Sequence, residues 1–171
     1  MTQFSRFLLV RLGSLGDVVH AIPVAAALRR AHPTAQIDWV VSRRHRGILD
    51  LVTVLGRVIA VEGLVEAMRE VRRSRYDVAI DLQGLLKSAL LARSSRAPRV
   101  IGFASSYLRE RLARFSYTDT YDPGCSDLYD PRETRHVVQI NLGLLEPLGV
   151  TAPAVEFPIK SVTSDLARTL R

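Results

Sequence analysis

Residues 7–23 read FLLVRLGSLGDVVHAIP, and this stretch decides the fold because it joins an apolar run to a glycine turn and a helical pattern. The four apolar residues at 7–10 are typical of a strand that is buried on both faces. Gly13 and Gly16 allow the backbone to bend sharply, and Asp17 stands where a helix begins. This order predicts the first unit of a parallel α/β sheet, in which ligands bind at the carboxyl ends of the strands.

The same alternation of strand and helix continues along the chain. Strands are predicted at Arg6–Leu12, Ala35–Val41, Arg57–Val61, Tyr76–Leu82 and Arg99–Gly102, and helices at Asp17–Ala31, Arg44–Leu51, Leu64–Arg73, Leu85–Arg93 and Glu133–Leu148. Residues 105–132 indicate a short helix and an exposed loop, and another helix is expected to begin after Ser164. Because such alternation requires right-handed crossovers, we expect an α/β fold, a Rossmann-like three-layer sandwich with a parallel sheet.

Length and composition are those of one globular domain. The chain has 171 residues, 47% of them hydrophobic, which is enough for one well-packed core. Its uncharged runs are too short to span a bilayer or to form a secretory signal. Its single cysteine, Cys125, cannot form an internal disulfide, as expected in a reducing compartment. We therefore expect a cytoplasmic location.

The charge balance favours an anionic partner. The formal net charge is +7, and nearly all the basic residues are arginine, whose planar fork binds phosphate and carboxylate. The arginines are spread over most segments and accompany no helix-turn-helix or aromatic RNA motif, so a nucleic-acid partner is not expected. The G-x-x-G-D turn lacks the spacing of dinucleotide and P-loop motifs, and Cys125 has no neighbours at metal-ligand spacing. We therefore expect no cofactor and no metal.

Three blocks of sequence resemble glycosyltransferase family 9. They are S-x-G-D-x-x-H-x-x-P at residues 14–23, D-W-V-V at 38–41 and D-x-Q-G-L-x-K-S-A at 81–89. Weaker similarity is found at 109–113 and 136–137, whereas the chain matches less well between the second and third blocks. The resemblance covers most of the chain, and the three blocks together are specific.

The resemblance implies a GT-B enzyme, in which two Rossmann-like domains face a cleft. It identifies residues 1–158 as the N-terminal, acceptor-binding domain and residues 159–171 as the start of an inter-domain connector, with the C-terminal donor domain absent from this chain. The family's heptosyltransferases transfer heptose, with inversion, from ADP-heptose to the Kdo-lipid A inner core of lipopolysaccharide. The implied partners are therefore a sugar-nucleotide donor, held by the missing domain, and an anionic glycolipid acceptor. The implied location is cytoplasmic, with peripheral contact at the cytoplasmic face of the inner membrane, and this chain alone is expected to be inactive.

The resemblance also assigns roles to single residues. Asp17 matches the family's general base, which removes a proton from an acceptor hydroxyl. The residues expected to bind the acceptor are Ser14, Gly16, Gln83, Lys87, Arg109 and His136. For other polar residues we expect structural roles: His20 packs beneath the turn, Asp81 is buried and paired, and the basic run at 43–46 is solvated.

A non-catalytic reading of the same residues stays open. An acid in the first turn of a helix stabilises the helix dipole, and this local role explains Asp17 without any chemistry. His136 likewise fits a helix start, and Lys87 fits an ordinary solvated lysine. The alternative function is a Rossmann-like module that binds a small anion without catalysis.

Overall fold

The computed structural model describes residues 4–124, 135–151 and 153–161. The strands are β1 (Arg6–Val10), β2 (Gln36–Ser42), β3 (Arg57–Val61), β4 (Val78–Asp81), β5 (Arg99–Phe103) and β6 (Asp119–Tyr121). The α-helices are α1 (Leu15–Ala31), α2 (Arg46–Leu49), α3 (Leu64–Val71), α4 (Leu86–Ser94) and α5 (Val137–Gly143). Short 3₁₀ helices lie at Arg43–His45, Arg111–Ser116 and Glu146–Leu148.

The described strands form one parallel sheet in the order β3-β2-β1-β4-β5-β6. This order is that of the doubly wound Rossmann fold, in which the chain starts at the centre and fills first one half of the sheet and then the other. β1 therefore lies between β2 and β4, and Leu8 is opposite Asp38 of β2 on one side and Ala79 of β4 on the other. The crevice between the turns after β1 and β4 is the position where such folds bind ligands.

The core lies on both faces of the sheet. Residues 7–10 of β1 all have 0% exposure. Because successive side chains of a strand point to opposite faces, their complete burial means that both faces of the sheet are covered. α1 packs against α5, and α3 packs against α4, which provides the covering helices. The predicted three-layer α/β fold is confirmed.

The region between residues 105 and 132 differs from its prediction. Its short helix is present as the 3₁₀ helix Arg111–Ser116, but β6 was predicted as loop. β6 is only three residues long, reads Asp-Thr-Tyr and is half-buried, so it has no apolar alternation from which a strand could be predicted. It is held in place by its tertiary pairing with β5.

The late helix is shorter than predicted. α5 ends at Gly143, and the separate 3₁₀ helix that follows contains Pro147. A proline inside an α-helix clashes with the carbonyl four residues earlier, here that of Gly143, so the α-helix cannot continue through it. Glu133 and the helix predicted after Ser164 lie outside the described residues.

Residues near the predicted domain boundary are hydrogen-bonded to the loop after α2. Ile159 forms an antiparallel bridge with Val52, and Lys160 donates its amide to the Leu51 carbonyl at 2.9 Å. Thr53 donates its amide to the Pro158 carbonyl at 2.9 Å. The chain thus remains in contact with the domain on both sides of residue 158, and the boundary itself stays a prediction.

Candidate functional site

A cavity of about 240 Å³ opens at the junction of β1 and β4. Its wall includes Arg11 and Asp17 from the first turn, Gln83 from the turn after β4, Arg109 from the segment after β5 and Asn141 from α5. These residues are far apart in the chain and meet because parallel strands present their carboxyl ends at one edge. The cavity has the position expected for the ligand site of this fold.

Asp17 is oriented by its own turn. Ser14 is the N-cap of α1, and Asp17 is the third helical residue, so the two form a capping box. The Ser14 amide and hydroxyl donate to Asp17 Oδ2 at 3.1 and 3.0 Å. The first-turn role predicted for Asp17 is therefore confirmed, and it fixes the carboxylate at the mouth of the cavity.

Arg11 makes the strongest contact with Asp17. Its Nη2 lies 2.6 Å from Asp17 Oδ2, and its Nη1 donates to the Leu82 carbonyl at the end of β4. The guanidinium thus joins the carboxyl ends of two neighbouring strands to the carboxylate. Within the described ranges, Asp17 Oδ1 accepts no hydrogen bond, because all of these contacts fall on Oδ2. One oxygen of a half-buried carboxylate thus remains available to a ligand.

The charge of Asp17 is stabilised by these neighbours. Partial burial would by itself raise the pKa of Asp17, but the Arg11 charge and the hydrogen bonds from Arg11 and Ser14 outweigh burial and lower the pKa below its ordinary value. Asp17 is therefore ionised at neutral pH. Such a carboxylate can accept a proton, but only as a weak base.

Gln83 and Gly84 shape the second turn of the cavity. Gln83 Oε1 accepts the Leu12 amide at 3.0 Å, which ties the turn after β4 to the turn after β1. Gly84 has a φ of 71°, in the left-handed region that favours glycine, and a Cβ on it would lie 3.1 Å from Leu108 Cδ2. The turn therefore has both a conformational and a steric reason for glycine at this position.

Asp81 stands beside this turn in a different environment. It has 0% exposure, and its carboxylate accepts hydrogen bonds from Ser88, Tyr117 and the amides of Gln83 and Gly84. Burial raises the pKa of Asp81, and these hydrogen bonds oppose the rise. The prediction that Asp81 is buried and paired is confirmed.

Of the predicted acceptor-binding residues, the structure brings two to the cavity lining, and the others do not line it. Gln83 and Arg109 line the cavity, and Ser14 contacts Asp17. Lys87 is exposed as the second residue of α4. Gly16 is the second residue of α1, where a Cβ would meet nothing within 4 Å, so packing does not require glycine there.

His136 has a structural contact of its own. It is the N-cap of α5, and its Nδ1 accepts the Val138 amide at 3.3 Å. Its ring meets the ring of His20 edge to face, with 5.3 Å between the ring centroids. These contacts explain His136 as a cap and His20 as a packed side chain of α1. Acceptor binding by His136 stays a prediction.

The basic run at 43–46 is partly neutralised by neighbouring acids. Arg43 lies 3.1 Å from Glu62 and 3.4 Å from Glu66, and Arg46 lies 3.1 Å from Asp50. These pairs are exposed, as expected for a solvated surface.

The family model described as glycosyltransferase family 9 (heptosyltransferase) matches residues 64–170, more than half of the chain. This protein belongs to glycosyltransferase family 9. The match includes the turn after β4, the segment that carries Arg109, and α5. The wall of the cavity opposite Asp17 thus lies within the matched part of this family 9 protein.

Curated relatives of the family 9 chain are lipopolysaccharide heptosyltransferases. It is 38% identical over 131 residues to lipopolysaccharide heptosyltransferase 1 of Pseudomonas aeruginosa, which covers 68% of this chain and 37% of the relative. It is 29% identical over 157 residues to the Escherichia coli K12 protein of the same name, covering 83% of this chain and 49% of the relative. The chain thus spans between about a third and a half of these relatives' length.

Solved structures share the fold. The family 9 glycosyltransferase of Veillonella parvula superposes with a TM-score of 0.75 and 25% identity, over 93% of this chain and 45% of that one. The E. coli heptosyltransferase WaaC with ADP-2-deoxy-2-fluoro heptose superposes with a TM-score of 0.73 and 26% identity, over 89% of this chain and 51% of that one. In both comparisons the family 9 fold described here accounts for about half of a longer protein.

Arg11 lines the candidate site and pairs with Asp17, but sequence reasoning missed it. It falls inside the predicted strand Arg6–Leu12 and was given no role. A signal was present, because a charged residue at the end of an apolar strand and just before a glycine turn has to be solvated or paired. Its partner Asp17 lies only six residues further along the chain, but its second contact, with Leu82, depends on the strand order.

Proposed function

We propose that this chain is the acceptor-binding half of an inverting heptosyltransferase that acts in lipopolysaccharide core synthesis. In this proposal residues 1–158 bind the Kdo-lipid A inner core, and a donor domain outside these residues holds ADP-heptose. The proposal is supported by the family match, by relatives that are named as heptosyltransferases and by the chain's coverage of only part of them. The observation that carries it is Asp17 in the cavity lining, with an Oδ1 that accepts no hydrogen bond from the described residues.

In the proposed reaction Asp17 is the general base. Its carboxylate removes the proton of an acceptor hydroxyl, the hydroxyl oxygen forms a bond to the anomeric carbon of the heptose, and ADP leaves from the opposite face with inversion. Because the pKa of Asp17 is lowered, proton transfer takes place late, when the attacking hydroxyl has already become acidic. Arg11 stabilises the carboxylate through Oδ2 and leaves Oδ1 to accept the proton.

The acceptor's negative charge is proposed to meet two basic residues, Arg109 and Lys87. Arg109 lines the cavity, and its guanidinium fork matches a phosphate or carboxylate. Lys87 occupies the first turn of α4, where a cation opposes the helix dipole and a bound anion would relieve that conflict. Gln83 is proposed to donate its side-chain NH₂ group to a sugar hydroxyl, since its Oε1 already accepts the Leu12 amide.

The proposed location follows from the acceptor, a lipid of the inner membrane, so the protein is expected to work at the cytoplasmic face with peripheral membrane contact. Within the described part of the chain, no helix has both the length and the apolar character to cross a bilayer.

Calorimetric titration of the purified chain tests the proposal. We expect weak binding of a Kdo-containing acceptor and no binding of ADP-heptose, because the pyrophosphate and the anomeric carbon are held by the other domain. Without that domain Asp17 has no positioned electrophile, so we also expect no transfer. Tight binding of ADP-heptose, or transfer by this chain alone, would contradict the assignment as an acceptor half.

One observation favours a second candidate function. The capping box and the Arg11 pair explain the position of Asp17 without any reaction, as in a domain that only binds a small anion. Such a module would bind inorganic phosphate as tightly as the acceptor, whereas the proposed acceptor half would discriminate strongly in favour of the Kdo-containing ligand. The same titration therefore separates the two functions.

A further inference from the structure

The 3₁₀ helix Arg111–Ser116 presents three different faces. A 3₁₀ helix has three residues per turn, so side chains three apart lie above one another. Ala113 and Ser116 are buried and attach the helix to the domain. The two other rows are apolar, with Leu112 and Phe115, and cationic, with Arg111 and Arg114.

The apolar row of this helix projects into solvent. Phe115 is 84% exposed and Leu112 is 64% exposed. Exposed single hydrophobic residues are common, but two in one row beside a row of arginines form an amphipathic surface. We call the residues Arg111, Leu112, Arg114 and Phe115 the 3₁₀ patch.

The charge around the 3₁₀ patch is positive. Arg109 precedes it, and Arg111 and Arg114 belong to it. The one acid in this stretch, Glu110, is engaged elsewhere, because its Oε2 accepts the Leu86 amide at the start of α4. An anionic surface would therefore meet the exposed Arg111 and the half-buried Arg114, whose Nη1 also donates to the Tyr117 carbonyl, beside exposed apolar side chains.

We propose that the 3₁₀ patch docks the protein onto an anionic phospholipid bilayer. Leu112 and Phe115 enter the boundary between headgroups and acyl chains, and Arg111 and Arg114 contact lipid phosphates. This pairing of apolar and basic side chains is that of interfacial membrane helices, in which burial and electrostatic attraction add. The arginine fork suits phosphate groups in particular.

A second copy of the chain fits the 3₁₀ patch less well. A symmetric dimer uses the same surface on both subunits, so the arginines of both copies would be crowded into one interface. The two apolar side chains also provide far less area than the roughly 800 Å² per partner of a stable protein interface. A bilayer needs no complementary shape and supplies the opposite charge.

The 3₁₀ patch is joined directly to the candidate site. Leu108 and Arg109 line the cavity, and the 3₁₀ helix begins two residues later. Docking would therefore hold the cavity close to the lipid surface. Binding to vesicles does not depend on the proposed transferase function, although its use for a lipid-linked acceptor rests on that function.

Vesicle flotation tests the proposal with the purified chain, using phosphatidylcholine alone and phosphatidylcholine mixed with phosphatidylglycerol. We expect binding to the mixed vesicles only. The double variant Leu112→Ser/Phe115→Ser should bind at least about tenfold more weakly, because burial of even one of the two apolar side chains supplies roughly that factor. Arg111→Gln/Arg114→Gln should also bind more weakly and with a smaller salt dependence.

The matched control is Val65→Ser, which removes an apolar side chain that is 73% exposed on α3. It should bind vesicles like the wild type, and thermal melting of every variant checks that the fold is intact. The proposal is overturned by equal binding to both vesicle types or by wild-type binding of the Leu112/Phe115 variant. It is also overturned if the wild type binds no vesicles, and self-association in sedimentation that this variant abolishes would then identify a second copy as the occupant. Titration of a water-soluble Kdo acceptor reports the cavity separately, so failure of docking and failure of the proposed function remain distinguishable.

Discussion

The turns after β1 and β4 lie side by side, and each is flanked by an aspartate: Asp17 in the first turn of α1, and Asp81 as the last residue of β4. Asp17 keeps 39% of its side chain exposed, whereas Asp81 has none. Asp17 is paired with Arg11, which lowers its pKa, whereas burial raises the pKa of Asp81, whose partners are uncharged. Asp17 is thus an accessible charge, whereas Asp81 is an internal hydrogen-bond acceptor.

This difference shows that position at the ligand-binding edge is not enough to make a carboxylate functional. Both carboxylate oxygens of the buried Asp81 accept hydrogen bonds, one from the amides of Gln83 and Gly84 and the other from the hydroxyls of Ser88 and Tyr117. Asp17 has all its donors on one oxygen. A partly exposed carboxylate with a stabilised charge is what separates a candidate base from a structural acid.

The largest effect on stability is expected from Asp81→Ala. The substitution leaves buried donors unpaired, and each such group costs about 1–3 kcal/mol, so the free energy of unfolding should fall by about 3 kcal/mol or more. Urea denaturation measures it. The control Asp50→Ala removes an exposed acid paired with Arg46 and should change stability by less than about 1 kcal/mol. Equal unfolding midpoints for the two variants would mean that the Asp81 network does not stabilise the fold.

Asp17→Asn, unlike Asp81→Ala, should lower turnover far more than stability. In a complete transferase that contains this domain, turnover should fall by at least about 100-fold, because the amide cannot accept the proton. Stability should change little, since the side chain is partly exposed and its shape is kept. Heptose transfer and thermal melting measured together check both parts. Near-normal turnover with a lowered melting temperature would favour the purely structural role of Asp17.

Arg11→Met should move the titration of Asp17. Without the guanidinium, the pKa of Asp17 rises, and the acidic limb of the pH-rate profile shifts to higher pH. A carboxyl with a lowered folded-state pKa stabilises the fold above its unfolded pKa, and this contribution disappears as the pH falls through the folded value. The variant should therefore lose part of that pH dependence. Carbon-13 NMR titration of the Asp17 carboxyl measures the shift, with Arg11→Lys as the control that keeps the charge; unchanged titration in Arg11→Met would refute the pairing.

The smallest effect, a change in the salt dependence of binding, is expected from the two basic residues proposed to bind the acceptor. Arg109→Ala and Lys87→Ala should each reduce the salt dependence of acceptor binding, because contacts between exposed charges are screened by ions. Titrations at several salt concentrations provide the slopes. Arg69→Ala on α3, outside the residues that line the cavity, serves as the matched control. Slopes that match the wild type would remove Arg109 and Lys87 from the acceptor site.

Much of this architecture was predictable because its signals are local. The apolar run at 7–10 is long enough to indicate a buried strand, and the glycine turn with an acid after it indicates the start of a helix. β6 was not predictable, since three polar or aromatic residues carry no pattern. Arg109 could be assigned to the site by family resemblance, but no local pattern places a residue so far along the chain in the same cavity as Asp17.

The amino-acid sequence alone determined the alternation of strands and helices and the first-turn position of Asp17, because these depend on residues close together in the chain. The tertiary structure decided which strands are adjacent, and with that the contacts of Arg11 with Leu82 and of Gln83 with Leu12, which are each 71 residues apart. It also decided that Tyr117 buries its hydroxyl against Asp81. Strand order is a property of the whole packed sheet, so the availability of one aspartate and the enclosure of the other follow only from the fold.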